Sequence, residues 1–192
     1  YRKIVGDDDI SFEYMKKGDI DFYLVTKAQR WAEETEFDKS KRGWIQKQRM
    51  YMRDPQVPSQ MAMNMDDPLF KDIRVRKALF WLFNREALHD QLFYHEYKNK
   101  DSYWANSIYA NPDNEKVTFN PEKGMQLLSE AGWTKRDADG TLMKDGKRLE
   151  FDFIYIHPSA ERVYTPIQET FRKYGIKMNL KPLDKPVESL TF

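Results

Sequence analysis

Hydrophobic and polar residues follow two periods along this chain, and the periods divide it into elements. Residues 1–5 read as a short strand. A helix follows from about Asp9, with Ile10, Phe12 and Met15 on one face. Gly18 ends it, because a residue without Cβ accepts the left-handed backbone of a helix stop. Ile20, Phe22 and Leu24 alternate with Asp21 and Tyr23, the period of a strand. Residues 27–34 read as helix. Trp44, Gln46 and Gln48 alternate with Ile45, Lys47 and Arg49, which predicts a strand over 44–52, and Pro55 and Pro58 force an extended link after it. Met61, Met63 and Met65 alternate with Gln60, Ala62 and Asn64. Such a methionine stripe can be a flexible ligand surface, but it more often fills a core.

The later part of the chain is more sharply punctuated. Asp72 is placed to cap a helix over 73–83, where Val75, Leu79 and Leu82 form a stripe that Phe80 and Phe83 widen. A second helix is expected over 86–94. The clearest helix runs over 121–131: Asn120 caps it, Pro121 sits where a missing N–H costs nothing, and Met125, Leu127, Leu128 and Ala131 supply its buried face. Turn signals at Asp137–Gly140 and Asp145–Gly146 flank a hairpin-like segment at 141–144. Leu149, Phe151 and Phe153 alternate into a strand ending near Ile156. An amphipathic helix over 160–174 and a strand over 176–180 complete a strand–helix–strand unit, which implies a parallel pair with a right-handed crossover.

Composition narrows the function. With 40% hydrophobic and 15% aromatic residues the chain can bury a core, so disorder is excluded for most of it. Basic and acidic residues balance at 32 and 31, so nothing steers the whole surface toward nucleic acid or an anionic membrane. The absence of cysteine excludes a thiol nucleophile, a zinc–thiolate site and a disulfide framework, and it suits an oxidising compartment. No apolar run approaches the ~18 residues that span a bilayer. The chain opens with Tyr1-Arg2-Lys3 and carries no signal peptide, so it is expected to be an interior segment of a longer protein.

Catalytic chemistry does not emerge from the residues. His89, His95 and His157 lack the spacing of a metal pair. The run Asp137-x-Asp139-Gly140 opens like a calcium loop, but Leu142 and Arg148 stand where the loop glycine and the final acid belong. Phosphate-loop, nucleophile-elbow and kinase motifs are absent. The acids at Asp7–Asp9 and Asp66-Asp67 read as solvated. The expectation is a protein without catalytic residues, cofactor or bound metal. What does stand out is Asp101-Ser-Tyr-Trp-Ala-Asn-Ser107. Tyr103 and Trp104 offer flat stacking surface, and Asn106 and Ser107 can pair with peptide groups. On local evidence alone, a loop packed onto its own domain is the plainer reading.

Four blocks, in order, resemble the family 5 extracellular solute-binding proteins, the peptide- and nickel-binding class. Met15-Lys-Lys-Gly-Asp-Ile-Asp21 is similar to the family's L-K-x-G-x-I-D. Leu69-Phe-Lys-Asp-Ile-Arg-Val-Arg-Lys-Ala-Leu79 with Asn84-Arg85-Glu86 resembles its D-x-R-V-R-x-A-L … D-R helix, with Asn84 where Asp is usual. Phe119-Asn-Pro-Glu-Lys123, Leu127-Leu128-x-x-Ala-Gly-Trp133, Asp139-Gly140 and Asp145-Gly-Lys147 form the third block, and the strand–helix–strand unit ending Gly175-Ile176 the fourth. The 101–106 loop and Arg30-Trp31 look most like the branch that serves microcin and oligopeptide importers.

The resemblance implies an α/β fold: one incomplete lobe of a two-lobed periplasmic-binding-protein (type II) fold, with a mixed sheet flanked by helices. Residues 1–43 would be the end of the first lobe and the crossover, and 44–192 part of the second, C-terminal lobe. It implies a periplasmic or extracytoplasmic substrate-binding component of an ABC transporter, which closes on an oligopeptide or peptide-like ligand in an interlobe cleft and hands it to the permease. Nucleic acid is not an expected partner, and the membrane is met only through the transporter. Peptide members hold an extended chain largely by its backbone, a mode that suits weak side-chain discrimination. By position, the loop after the strand at 151–156 would face the cleft. The expected ligand contacts are therefore Trp104, Asn106, Ser107, Tyr155, His157, Glu161 and Arg162. Arg74 and Arg76 could reach a ligand carboxylate, although pairing within the lobe is the plainer reading. The family chain continues past the segment matching 181–192 and supplies further ligand groups there, so these residues alone are expected to bind peptide weakly. Two other classes stay open: a protein–protein interaction module built on exposed aromatics, and a peptide or glycan hydrolase.

Overall fold

The computed structural model describes residues 6–51 and 60–183, with Pro158 described by its backbone alone. The strand expected at residues 1–5 lies outside them. The chain divides into two compact units, Tyr1–Met52 with Leu92–Tyr97, and Arg53–Gln91 with Lys98–Phe192.

The first unit is built around α1, Asp8–Lys17. Asp7 caps it, its Oδ1 accepting from the N–H groups of Asp9 at 2.8 Å and Ile10 at 2.9 Å. Gly18 closes it with φ 88°. Phe12 and Met15 are buried, but Ile10 is 50% exposed and does not share their face. A π-helical turn, Arg30–Glu34, brings Arg30 against Phe12, the guanidinium 4.5 Å from the ring centroid. Arg30 is 5% exposed and bonds to Asp8, Asp9, Glu34 and the Tyr23 hydroxyl. Burial works against its charge, and the bonds to Asp9, Tyr23 and Glu34 outweigh that and raise its pKa. A short helix, α2, covers Asp38–Lys41.

Two alternating segments of this unit are not strands. Residues 20–24 and the described part of 44–52 have no ladder partner among the described residues. Their alternation comes from side-chain anchoring on one side. Tyr23 donates to Asp8 at 2.6 Å and Lys27 to Asp9 at 2.8 Å, while Phe22 and Leu24 stay exposed. Lys47 reaches the Trp31 carbonyl at 2.5 Å and lies over its ring, and Arg49 pairs with Glu96.

The second unit is helical first and then strand–helix–strand. Its helices are α3, Pro68–Lys71, α4, Ile73–Leu82, α5, Arg85–Leu88, and α6, Pro121–Glu130. Side chains of Asp67, Asp72, Asn84 and Asn120 cap them in turn. A π-helical turn, His89–Phe93, follows α5, where one longer helix was expected. The methionine stripe at 60–65, expected to fill a core, is only partly buried: Met61 and Met63 are half-buried and Met65 is 50% exposed. Arg74 pairs with Asp72 and donates to the Glu130 carbonyl, and Arg76 donates to the carbonyls of Phe70 and Lys71. Both arginines are thus engaged in positioning helices.

Helices α4 and α6 pack at close range. A Cβ on Gly124 would stand 2.6 Å from Leu82 Cγ and 3.3 Å from the Ala78 carbonyl oxygen. A helical glycine costs about 1 kcal/mol against alanine, and here the close approach of the two backbones requires it. The N–H of Asn120 donates to the Trp81 carbonyl at 2.8 Å, and Lys123 lies 3.7 Å over the Trp81 ring.

Strands β1, Lys135–Arg136, β2, Leu142–Lys144, and β3, Lys147–Arg148, form an antiparallel three-stranded sheet in that order. Strands β4, Glu150–Tyr155, and β5, Lys177–Pro182, pair in parallel from Glu150↔Lys177 to Tyr155↔Pro182, joined by α7, Glu161–Lys173. This is the crossover unit that the hydrophobic pattern predicts. Phe171, Ile176, Met178, Leu128, Leu149, Val75 and Leu82 are fully buried and form the core. Gly175 turns the chain from α7 to β5 with φ 85°, under Arg136 and 2.9 Å (from a built Cβ) from the Gly140 carbonyl.

Candidate ligand-binding site

The expected contacts fall into two groups, both in the second unit. The first lies where β4 ends. Tyr155 closes the strand, His157 follows, a 3₁₀ turn spans Pro158–Ala160, and Glu161 opens α7. The His157 carbonyl accepts from the Ala160 N–H at 2.8 Å, which tightens the turn. Tyr155 is 5% exposed, its ring 5.4 Å from that of Tyr164, which also meets Phe153 at 4.7 Å. Packing raises the Tyr155 pKa first, and the nearby Glu161 charge and the hydrogen bond to it add to that. Glu161 sits in the first helical turn, where the helix dipole favours a negative charge. His157, Glu161 and Arg162 are exposed. This group sets an exposed carboxylate, imidazole and guanidinium on one short connection, next to the buried Tyr155 ring.

The second group is the loop over 101–114. Trp104 is 44% exposed and meets Tyr103 edge-to-face at 5.0 Å. Asn106 takes a left-handed backbone, φ 62°, and its side chain is exposed. The Ser107 hydroxyl donates to the Trp104 carbonyl at 2.7 Å and accepts from the Tyr109 N–H at 3.1 Å. Ser107 therefore shapes the loop with the groups that a peptide would have used. Ile108 and Tyr109, 91% and 72% exposed, stand beside these residues and were not among the expected contacts. The signal that marks them is the absence of any charged residue from 102 to 112 in a chain that is 33% charged.

Other candidates resolve into structural roles. Asp137 Oδ1 accepts from the N–H groups of Asp139 and Thr141, and its Oδ2 faces Arg148 Nε at 2.9 Å, so the calcium-like loop is a tied turn. Among the described residues no group of three or more His, Cys, Asp or Glu is placed to hold a metal ion. Among them too, no helix is long and apolar enough to cross a membrane. A cavity of about 680 Å³ lies over Phe12 and Arg30 in the first unit. None of the expected contacts lines it, and its charged walls, such as Asp9, Glu13, Lys16 and Arg30, pair among themselves.

Comparison with known proteins bears on the family and the fold. The sequence matches the bacterial extracellular solute-binding proteins, family 5 Middle, over residues 2–191. YejA of Escherichia coli is 26% identical over 214 residues, covering 93% of this chain and 35% of YejA. The oligopeptide-binding protein AppA of Bacillus subtilis is 30% identical over 125 residues, covering 62% of this chain and 23% of AppA. Among solved structures, NikA from Brucella suis in complex with Fe(III)-EDTA superposes with a TM-score of 0.77 at 23% identity, over 98% of this chain and 38% of NikA. AppA from Bacillus subtilis in complex with a nonapeptide gives 0.69 at 23% identity, over 97% of this chain and 36% of AppA. The chain spans about a third of the length of the curated relatives that match most of it. Its fold is part of the periplasmic-binding-protein type II fold. The chain belongs to the bacterial extracellular solute-binding proteins of family 5.

Proposed function

We propose that these residues are part of the substrate-binding component of an ABC importer, which takes up a peptide outside the cytoplasm and passes it to a permease without changing it chemically. On this reading residues 1–43 belong to the end of the first lobe and the crossover, and 44–192 to the second. The observation that carries the reading is the family match along nearly the whole chain. The chemistry of the two loop groups supports peptide over the metal complexes that some relatives hold. Aromatic faces at Tyr103 and Trp104, an amide at Asn106 and opposite charges at Glu161 and Arg162 suit a chain of amides with charged ends.

The test is titration calorimetry of the protein that carries these residues within its full polypeptide, with tri- to pentapeptides and, separately, with a nickel–histidine complex. Peptide binding in the micromolar range or tighter is expected, and Trp104→Ala should weaken it roughly tenfold, as loss of an aromatic anchor does. Binding of the nickel complex with no response to any peptide would overturn the peptide reading. Native mass spectrometry of the purified protein should show a retained peptide mass that denaturation releases.

A further inference from the structure

We propose that the 101–114 loop reads large apolar side chains of the ligand, so that the protein prefers peptides carrying aromatic or branched aliphatic residues over peptides carrying charged ones. This rests on the peptide-binding reading above and names the substrate class that the same site selects.

Three observations converge. The loop turns four large apolar or aromatic side chains toward solvent: Tyr103 at 53% exposure, Trp104 at 44%, Ile108 at 91% and Tyr109 at 72%. Its serines and the asparagines at 111 and 114 are spent on the loop itself, which leaves the exposed Asn106 amide outside these bonds. Ser107 bridges the Trp104 carbonyl and the Tyr109 N–H, Ser102 Oγ accepts from the Asn111 N–H at 3.0 Å, and Asn114 donates to the Asp101 carbonyl at 2.6 Å. Asn111 donates to Asn114 and accepts from the Asp113 N–H. Finally, residues 102–112 carry no charge.

Together these set a chemistry. A charged ligand side chain arriving between 102 and 112 would lose water and meet no counter-charge from that segment, with Asp101 and Asp113 standing only at its two ends, which is costly. An apolar one would cover exposed ring faces and an exposed isoleucine, removing apolar surface from water. Asn106 takes a left-handed backbone between the Tyr103–Trp104 pair and the Ile108–Tyr109 pair. The backbone of the peptide is left to other groups, and this loop adds discrimination to a mode of binding that otherwise has little.

The experiment compares Ala-Phe-Ala, Ala-Leu-Ala and Ala-Lys-Ala by calorimetry, in the wild-type full polypeptide and in an I108S/Y109S variant. Wild type should bind the phenylalanine and leucine peptides roughly tenfold or more tighter than the lysine peptide, the scale set by burying one such side chain. In the variant that ratio should fall to about twofold, and Tyr109→Phe alone should keep it, since the ring face remains. Equal binding of all three peptides by wild type overturns the proposal while the peptide reading stands. An undiminished ratio in the variant also overturns it, because the selecting surface then lies elsewhere. Response to the nickel–histidine complex and to none of the peptides removes the peptide reading, and this inference with it. The wild-type comparison decides the matter even if the variant proves unstable.

Discussion

The β4–α7–β5 unit and the 101–114 loop belong to the same half of the molecule and are held together on opposite plans. The crossover unit is fixed by what it hides: Phe171, Ile176 and Met178 are at most 2% exposed, and the strands pair along their full length. The loop hides little. It is fixed by side-chain hydrogen bonds that replace regular backbone pairing, and its apolar groups face outward. The difference teaches where stability ends and recognition begins. Damage to the first plan spreads through the cooperative core, whereas damage to the second stays local.

That contrast can be broken by measurement. Phe171→Ala should cost about 4 kcal/mol in denaturant unfolding, the scale of an aromatic removed from a close-packed core. A loss under 1 kcal/mol would mean that the crossover unit is not the cooperative core. Gly175→Ala should cost about 2 kcal/mol, because a Cβ there meets Arg136 and the Gly140 carbonyl in a backbone conformation that resists one. Ser107→Ala should cost about 1 kcal/mol and speed hydrogen exchange at the Tyr109 amide, with exchange in α7 unaltered. Faster exchange in both places would dissolve the distinction drawn here.

Acid should also separate the two regions. Glu150 on β4 is held below the usual carboxylate range by its hydrogen bond from Asn179, then by Lys177. A depressed folded pKa contributes stability that is present above the unfolded value, 4.5, and is lost as pH falls through the folded value. Glu150→Gln should therefore flatten the acid limb of a stability-against-pH curve. The loop between 102 and 112 carries no carboxylate and should contribute nothing to that limb. The smallest effect belongs to Ile108→Ser, which should change unfolding stability by no more than about 0.5 kcal/mol.

How much of this was legible beforehand follows the same division. The crossover unit could be read because its signals are local and redundant: alternation into Tyr155, helical spacing from Val163 to Phe171, and Gly175 as a stop. Asn120 and Pro121 marked the start of α6 for the same reason. The segments at 20–24 and 44–51 misled because alternation reports only that one face is anchored. Tyr23 and Lys47 are anchored on Asp8 and Trp31 instead of on a neighbouring strand, and sequence cannot tell the two apart. For the candidate contacts, the sequence spoke to exposure more than to bonding. Trp104 stands exposed in a loop and Glu161 at the exposed start of α7. Ser107, chosen for its capacity to pair with a peptide, proves to be occupied, and the extent of Ile108 and Tyr109 exposure needed coordinates.

The seat of Gly124 against Leu82 bears on how the loop can work. The chain leaves the loop at Asn114 and enters α6 a few residues later, past the Asn120 bond to Trp81. Because nothing larger than hydrogen fits against Leu82 at Gly124, α6 cannot come closer to α4 at that point. On the proposed peptide-binding reading, a guest pulling on the loop would meet this close helix contact a few residues further along the chain.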